Sequence, residues 1–327
     1  MAALRMTARE WGWLVALSVL WGGAFFMTSV ALKEMTPFGL AFFRISIAAL
    51  TLGIAVWVMG GAIPARLTDW RAFTILAIFG NAVPFCLLAW AQTQISGGLA
   101  AILNAMTPIF TILIAHVFTQ DEKITLGRFL GILLAVCGVA VIVGPSALTL
   151  HGGQLWAEAA VLGASCCYAI AGVYGRRFGG YPLLIPAFMQ LMIGSALVLP
   201  VLLLAGTPVR VAMPSLTTIA CVLGLAVFST ALAFGIYFRI LRSAGATNAG
   251  LVTILVPVTA ILLGALILGD QLVARHYAGL VMIATGLLII DGRPLQVLRS
   301  VVFRARNKPD VSGPAAPHML NEPHKLR

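Results

Sequence analysis

The side chains able to do chemistry are few, and they sit where water is scarce. Pro108 and Pro257 each lie deep in an apolar stretch, with Asn104 and Thr107 beside the first and Thr253 beside the second. A proline inside a helix removes one backbone hydrogen bond and favours a kink, which exposes polar backbone. Asn81 with Pro84, and Ser229 with Thr230, add polar groups to two further apolar stretches. Arg44 and Glu158 lie at similar depth in two others, and an ionisable group in hydrocarbon is expensive enough to suggest function. Trp21, followed by Gly22 and Gly23, and Tyr168 are aromatic groups suited to lining a cavity. What is missing matters as much. No metal-ligand spacing, Ser/His pair or paired aspartates occurs in these stretches, so no catalytic residues, metal or cofactor are expected.

The elements that must hold these groups are set by composition. Of 327 residues, 61% are hydrophobic and 9% charged, and mean hydropathy is +1.02. A soluble domain carries about 25% charge, so the chain is expected to be an all-α integral membrane protein. Apolar runs fall at 11–32, 37–59, 70–90, 97–119, 125–144, 152–174, 182–205, 214–238, 246–268 and 274–291. Most reach the roughly 20 residues that cross a bilayer, which predicts ten transmembrane helices. The first is too long for a signal peptide. The five cysteines lie in apolar runs without CxxC pairing and read as small buried hydrophobes.

The chain also contains its own half-length copy. Pro257 follows Pro108 at an offset of 149, while Asp270, Gly279 and Gly286 follow Glu122, Gly131 and Gly138 at 148. Five helices per half is an odd number, so the second half must enter the membrane from the other side. The expected fold is therefore two inverted-topology five-helix repeats, 11–144 and 152–291, between a short N-terminus (1–10) and a disordered basic tail (292–327). Placing both termini in the cytoplasm leaves only Lys33, Arg210 and Arg275 outside, with Arg44 within a helix, among 21 Lys and Arg. That asymmetry satisfies the positive-inside rule. It also assigns the net charge of +11 to an anionic lipid leaflet, with no nucleic acid required.

Paired interruptions in corresponding helices of inverted halves point to a binding site near the midplane. The candidate substrate-binding set is Trp21, Asn81, Asn104, Thr107, Tyr168, Ser229, Thr230 and Thr253, with Pro108 and Pro257 as hinges facing each other. Each polar residue taken alone also suits ordinary helix–helix hydrogen bonding. Arg44 and Glu158 could pair as an external gate or proton-coupling site; the alternative is a snorkelling arginine and a glutamate in interfacial water. Trp90 and Tyr237 are expected as interfacial anchors. His116 reads as interfacial or as a proton carrier. Gly127, Gly131 and Ala135 form a seam suited to helix packing or a homodimer face.

Several segments together resemble an EamA-type transporter of the drug/metabolite transporter superfamily. They are LSVLWGGAFF (17–26), FFRISIAAL (42–50), SGGLAAILNAMTPIF (96–110), SAGATNAGLVTILVP (243–257) and LGDQL (268–272). The likeness spans about 11–291 and departs where Asp270 stands for the usual glutamate. It implies a secondary transporter of small organic solutes in a bacterial-type inner membrane, most often an exporter of amino-acid-like compounds. Few charges in the cavity helices suit neutral or zwitterionic solutes better than polyanions. Uptake of a vitamin such as riboflavin is the competing transport reading, and an intramembrane enzyme the competing class. Coupling to protons and facilitated exchange both fit. ATP drive does not, because no GxxxxGK[ST] loop is present.

Overall fold

The computed structural model describes residues 6–64, 66–143, 154–211, 213–263 and 273–291. Asp270 and the 292–327 tail lie outside them. Among the described residues the protein is helical, with seven helices long and apolar enough to cross a membrane and three shorter apolar ones. In chain order these are α1 (Ala8–Ala31), α2 (Pro37–Val58), α3 (Leu67–Ala91), α4 (Gly97–Phe118), α5 (Leu126–Val143), α6 (Leu155–Gly180) and α7 (Leu184–Ala205). α8 (Leu216–Ala244), α9 (Ala246–Leu263) and α10 (Ala274–Asp291) complete the bundle. Local chemistry starts several of them. Thr36, Ser96 and Ser215 accept hydrogen bonds from the backbone N–H groups of Gly39, Leu99 and Thr218, capping α2, α4 and α8. Large apolar side chains such as Phe26, Trp57 and Leu204 point outward, as lipid-facing residues must.

Loops that alternating crossings would put on one face do meet. Thr36 Oγ1 donates to the carbonyls of Thr207 and Pro208, and the Glu34 carboxylate accepts from the Ser215 N–H at 2.7 Å. At the other end, Asp121 and Glu122 meet Arg176. α5 and α10 cross closely. The Gly131 Cα approaches the Gly286 carbonyl, and Gly138 approaches that of Gly279, so closely that a Cβ on either would lie 2.8 Å from it. One number rises as the other falls, so the two helices run antiparallel. Gly131 and Ala135 thus pack against α10 within the chain, while a Cβ on Gly127 would meet nothing within 4 Å. Other contacts also join positions 149 apart: Ser46 Oγ lies 2.6 Å from Ser195 Oγ, and the Phe85 and Phe234 rings stack at 6.4 Å.

Several helices are not regular. α3 and α8 carry π-helical segments, Ile78–Ala82 and Val227–Leu232, again 149 residues apart at their starts. α4 breaks at Ala105–Met106, just before Thr107 and Pro108. In α9 the break falls at Leu251, between Ala246–Gly250 and Val252–Leu263. Pro257 sits within the second piece, six residues past it. The expected matching proline kinks are therefore offset. Pro108 packs against α9 at Gly250, where a Cβ would lie 3.8 Å from the Pro108 Cα, and it does not oppose Pro257 there.

Candidate functional site

A cavity of about 110 Å³ lies at the centre of the bundle. Its walls come from α1–α4 and α6–α9; none of its lining residues belongs to α5 or α10. The aromatic wall is built from contacts between the halves. Trp21 packs edge-on to Phe234 with centroids 6.5 Å apart and lies 6.0 Å from Tyr237. Phe85 meets Tyr168 at 6.4 Å. The break at Gly22–Gly23 and the π segment of α8 make this possible. They bring Trp21 Nε1 within 3.0 Å of the Ser229 carbonyl, while Ser229 Oγ donates to the Leu20 carbonyl at 2.5 Å. π segments recur at functional sites because they turn one set of side chains out of register.

Five of the eight sequence-derived binding candidates line this cavity: Trp21, Asn104, Thr107, Tyr168 and Thr253. Asn81, Ser229 and Thr230 stand behind the wall. Asn81 Nδ2 donates to the Gln190 carbonyl at 2.9 Å, and its Oδ1 is buried without a partner among the described residues. Thr230 Oγ1 donates to the Leu225 carbonyl and accepts from Arg44 Nε at 2.8 Å. Pro108 and Pro257 are absent from the lining.

The expected Arg44–Glu158 pair does not form. Arg44 reaches the cavity wall, held by Thr230 and by the Phe85 ring, whose centroid is 4.1 Å from its guanidinium carbon. Glu158 stays in the first turn of α6, where the helix dipole favours a carboxylate. A hydroxyl acceptor and an aromatic face within reach hold the guanidinium, and the Glu158 carboxylate does not come within 4 Å of it. Tyr237, expected as an interfacial anchor, belongs instead to the cavity wall. Sequence reading missed Phe85, Phe234 and Gln190. Their offset supplied a signal for the phenylalanines, since positions 85 and 234 are equivalent in the two halves; Gln190 had none.

The acidic turn also has a structural duty. Glu122, 3% exposed, accepts from the Ala246 and Thr247 N–H groups, both at 2.8 Å, capping the N-terminus of α9. Arg176 Nη1 lies 3.1 Å from the same carboxylate and also binds Asp121. That hydrogen bond from Arg176 holds the Asp121 carboxyl below the usual carboxylate range. His116 serves the same turn, its Nδ1 accepting from the Ile124 N–H at 3.1 Å.

Comparison with known proteins places this architecture. An uncharacterized transporter of Archaeoglobus fulgidus is 26% identical over 86% of this chain and 98% of its own. A probable amino-acid metabolite efflux pump of Escherichia coli is 28% identical over 83% and 91%. One solved crystal structure shares the fold, with a TM-score of 0.69 at 17% identity over 85% of this chain and 96% of that one. The model of the EamA-like transporter family matches twice, at residues 10–144 and 155–291. A multi-pass helical chain carrying two copies of that pattern, with a cavity between them, belongs to the EamA-like transporter family.

Proposed function

We propose that the protein exports small amino-acid-related metabolites across an inner membrane, by alternating access between two inverted halves. One observation carries this reading: a cavity whose aromatic wall pairs Trp21 with Phe234 and Tyr168 with Phe85 across the halves. Rocking one half against the other would carry such a wall past a fixed site. The antiparallel α5–α10 seam and the Ser46–Ser195 and Phe85–Phe234 contacts support the inversion. Export follows the Escherichia coli relative described as a probable efflux pump.

Purified protein in liposomes, screened for flux of amino acids, N-acetyl amino acids, riboflavin and purines with and without a pH gradient, tests the reading. Saturable flux of an amino-acid-related solute, reduced at least tenfold by Phe234→Ala, is the expected result. No flux of any solute overturns it. Inversion is tested separately by single cysteines at Ile63 and Arg210, both exposed and on corresponding loops of the two halves, those after α2 and α7. In a cysteine-free background, labelling from opposite faces is expected; labelling from one face defeats the inverted repeat.

A further inference from the structure

We infer that the cavity selects organic monoanions, a carboxylate attached to an apolar or aromatic body with no free ammonium group, and that Arg44 is the anchor for the acid. This rests on the transport reading above and specifies the substrate of that same cavity. The starting observation is a charge imbalance. Arg44 lines the cavity and no aspartate or glutamate does. Among the described residues the ion pairs are those of Arg176 alone, so Arg44 has no carboxylate partner there. A guanidinium stays protonated in proteins, so the cavity holds one fixed positive charge.

The group is also presented, not merely buried. Its Nε is spent on Thr230 and one face lies on Phe85, which fixes the plane of the fork. The Nη donors remain for a planar acceptor, and a carboxylate matches that geometry with two parallel hydrogen bonds. Gln190, 1% exposed and in the lining, adds an Nε2 that has no partner among the described residues. Both of these groups are donors. Three of the four threonines in the wall have turned their protons inward: Thr107, Thr111 and Thr253 donate to carbonyls of their own helices. They offer neutral lone pairs to an ammonium but no charge to balance it. A zwitterion would thus leave the occluded complex at +1, whereas a monoanion leaves it neutral, and moving an unbalanced charge through a low-dielectric interior is costly. The body of the solute meets Trp21, Phe85, Tyr168, Phe234 and Tyr237.

The test is exchange in liposomes preloaded with unlabelled probe, comparing three labelled solutes that share a benzyl side chain and carry different charged groups. They are N-acetyl-phenylalanine (anion), phenylalanine (zwitterion) and N-acetyl-phenylalaninamide (neutral). The anion should exchange at least tenfold faster than either of the others. Arg44→Gln should remove that preference, with a loss of about ten- to a hundredfold for the anion, and Arg44→Lys should keep the preference at reduced rate. Thermal stabilisation of the detergent-solubilised protein by the anion over the amide, present in the wild type and absent in Arg44→Gln, provides a readout without flux. If phenylalanine or the amide exchanges as fast as the anion, or if Arg44→Gln leaves the order intact, transport by this cavity stands and the monoanion assignment falls. If none of the three exchanges or stabilises the protein while other amino acids flow, the assignment likewise falls alone. If no solute moves at all, both readings fall.

Discussion

At the residue scale, two glycines show how tightly neighbouring elements pack. A Cβ on Gly194 would lie 1.9 Å from Asn81 Oδ1, and one on Gly39 would lie 2.2 Å from the Pro208 carbonyl oxygen. Asn81 is fully buried and held to α7 through the Gln190 carbonyl, so it has nowhere to retreat. Gly194→Ala is expected to cost about 1–3 kcal/mol as an overpacking change, read as a lower melting temperature in detergent. Gly12→Ala, where no atom lies within 4 Å of the new Cβ, is the control and should melt no lower than the wild type, since alanine favours a helix over glycine. Arg44, Trp21 and Tyr168 were legible in the sequence because a charge or large aromatic inside an apolar run stands out. Gln190 was not, because one amide in a long apolar helix carries no periodicity and no repeat partner. The Arg44–Glu158 pairing failed for a different reason: equal depth along two helices does not fix the rotation of either about its axis.

At the element scale, the turn between α4 and α5 acts as a clamp on another half of the chain. Glu122 caps α9 while Arg176 of α6 bridges Glu122 and Asp121. Internal similarity had marked this turn as a feature of repeat architecture, and its partner element was invisible because the contact spans 124 residues. Glu122→Gln keeps an acceptor for α9 but loses the charge that faces Arg176. It should lower stability by about 1–3 kcal/mol, and Glu122→Ala should lower it further, both measured as melting temperature. The Asp121 contribution has a definite pH sign. Its carboxyl is held low by Arg176, so its stabilisation is complete above the ordinary aspartate value and is lost only as pH falls through the depressed one. The difference in melting temperature between the wild type and Asp121→Asn should therefore hold from pH 8 to about pH 5 and shrink only below about pH 4. A difference that vanished near neutral pH would defeat this assignment.

At the scale of the whole molecule, work is divided between eight helices that wall the cavity and an α5–α10 pair that does not touch it. Ten apolar runs, their order and the half-length repeat could be read directly, because spanning length and hydropathy are nearly independent of tertiary contacts. The π segments and the offset break in α9 could not, since they depend on which carbonyls neighbouring helices satisfy. The α5–α10 crossing was legible only as glycine spacing, with its partner unknown. That separation of labour makes a distinct expectation. A Cβ on Gly286 would lie 2.5 Å from the Gly131 carbonyl and 2.8 Å from the Ala135 Cβ, whereas one on Gly127 would meet nothing within 4 Å. Gly286→Ala should therefore push the helices apart and lower the melting temperature by an amount that Gly127→Ala does not. Because the pair lies away from the cavity, the concentration of solute that half-saturates flux should stay within about twofold of wild type in protein that remains folded. A large change in that concentration, with melting unaffected, would mean that α5 and α10 shape the cavity after all.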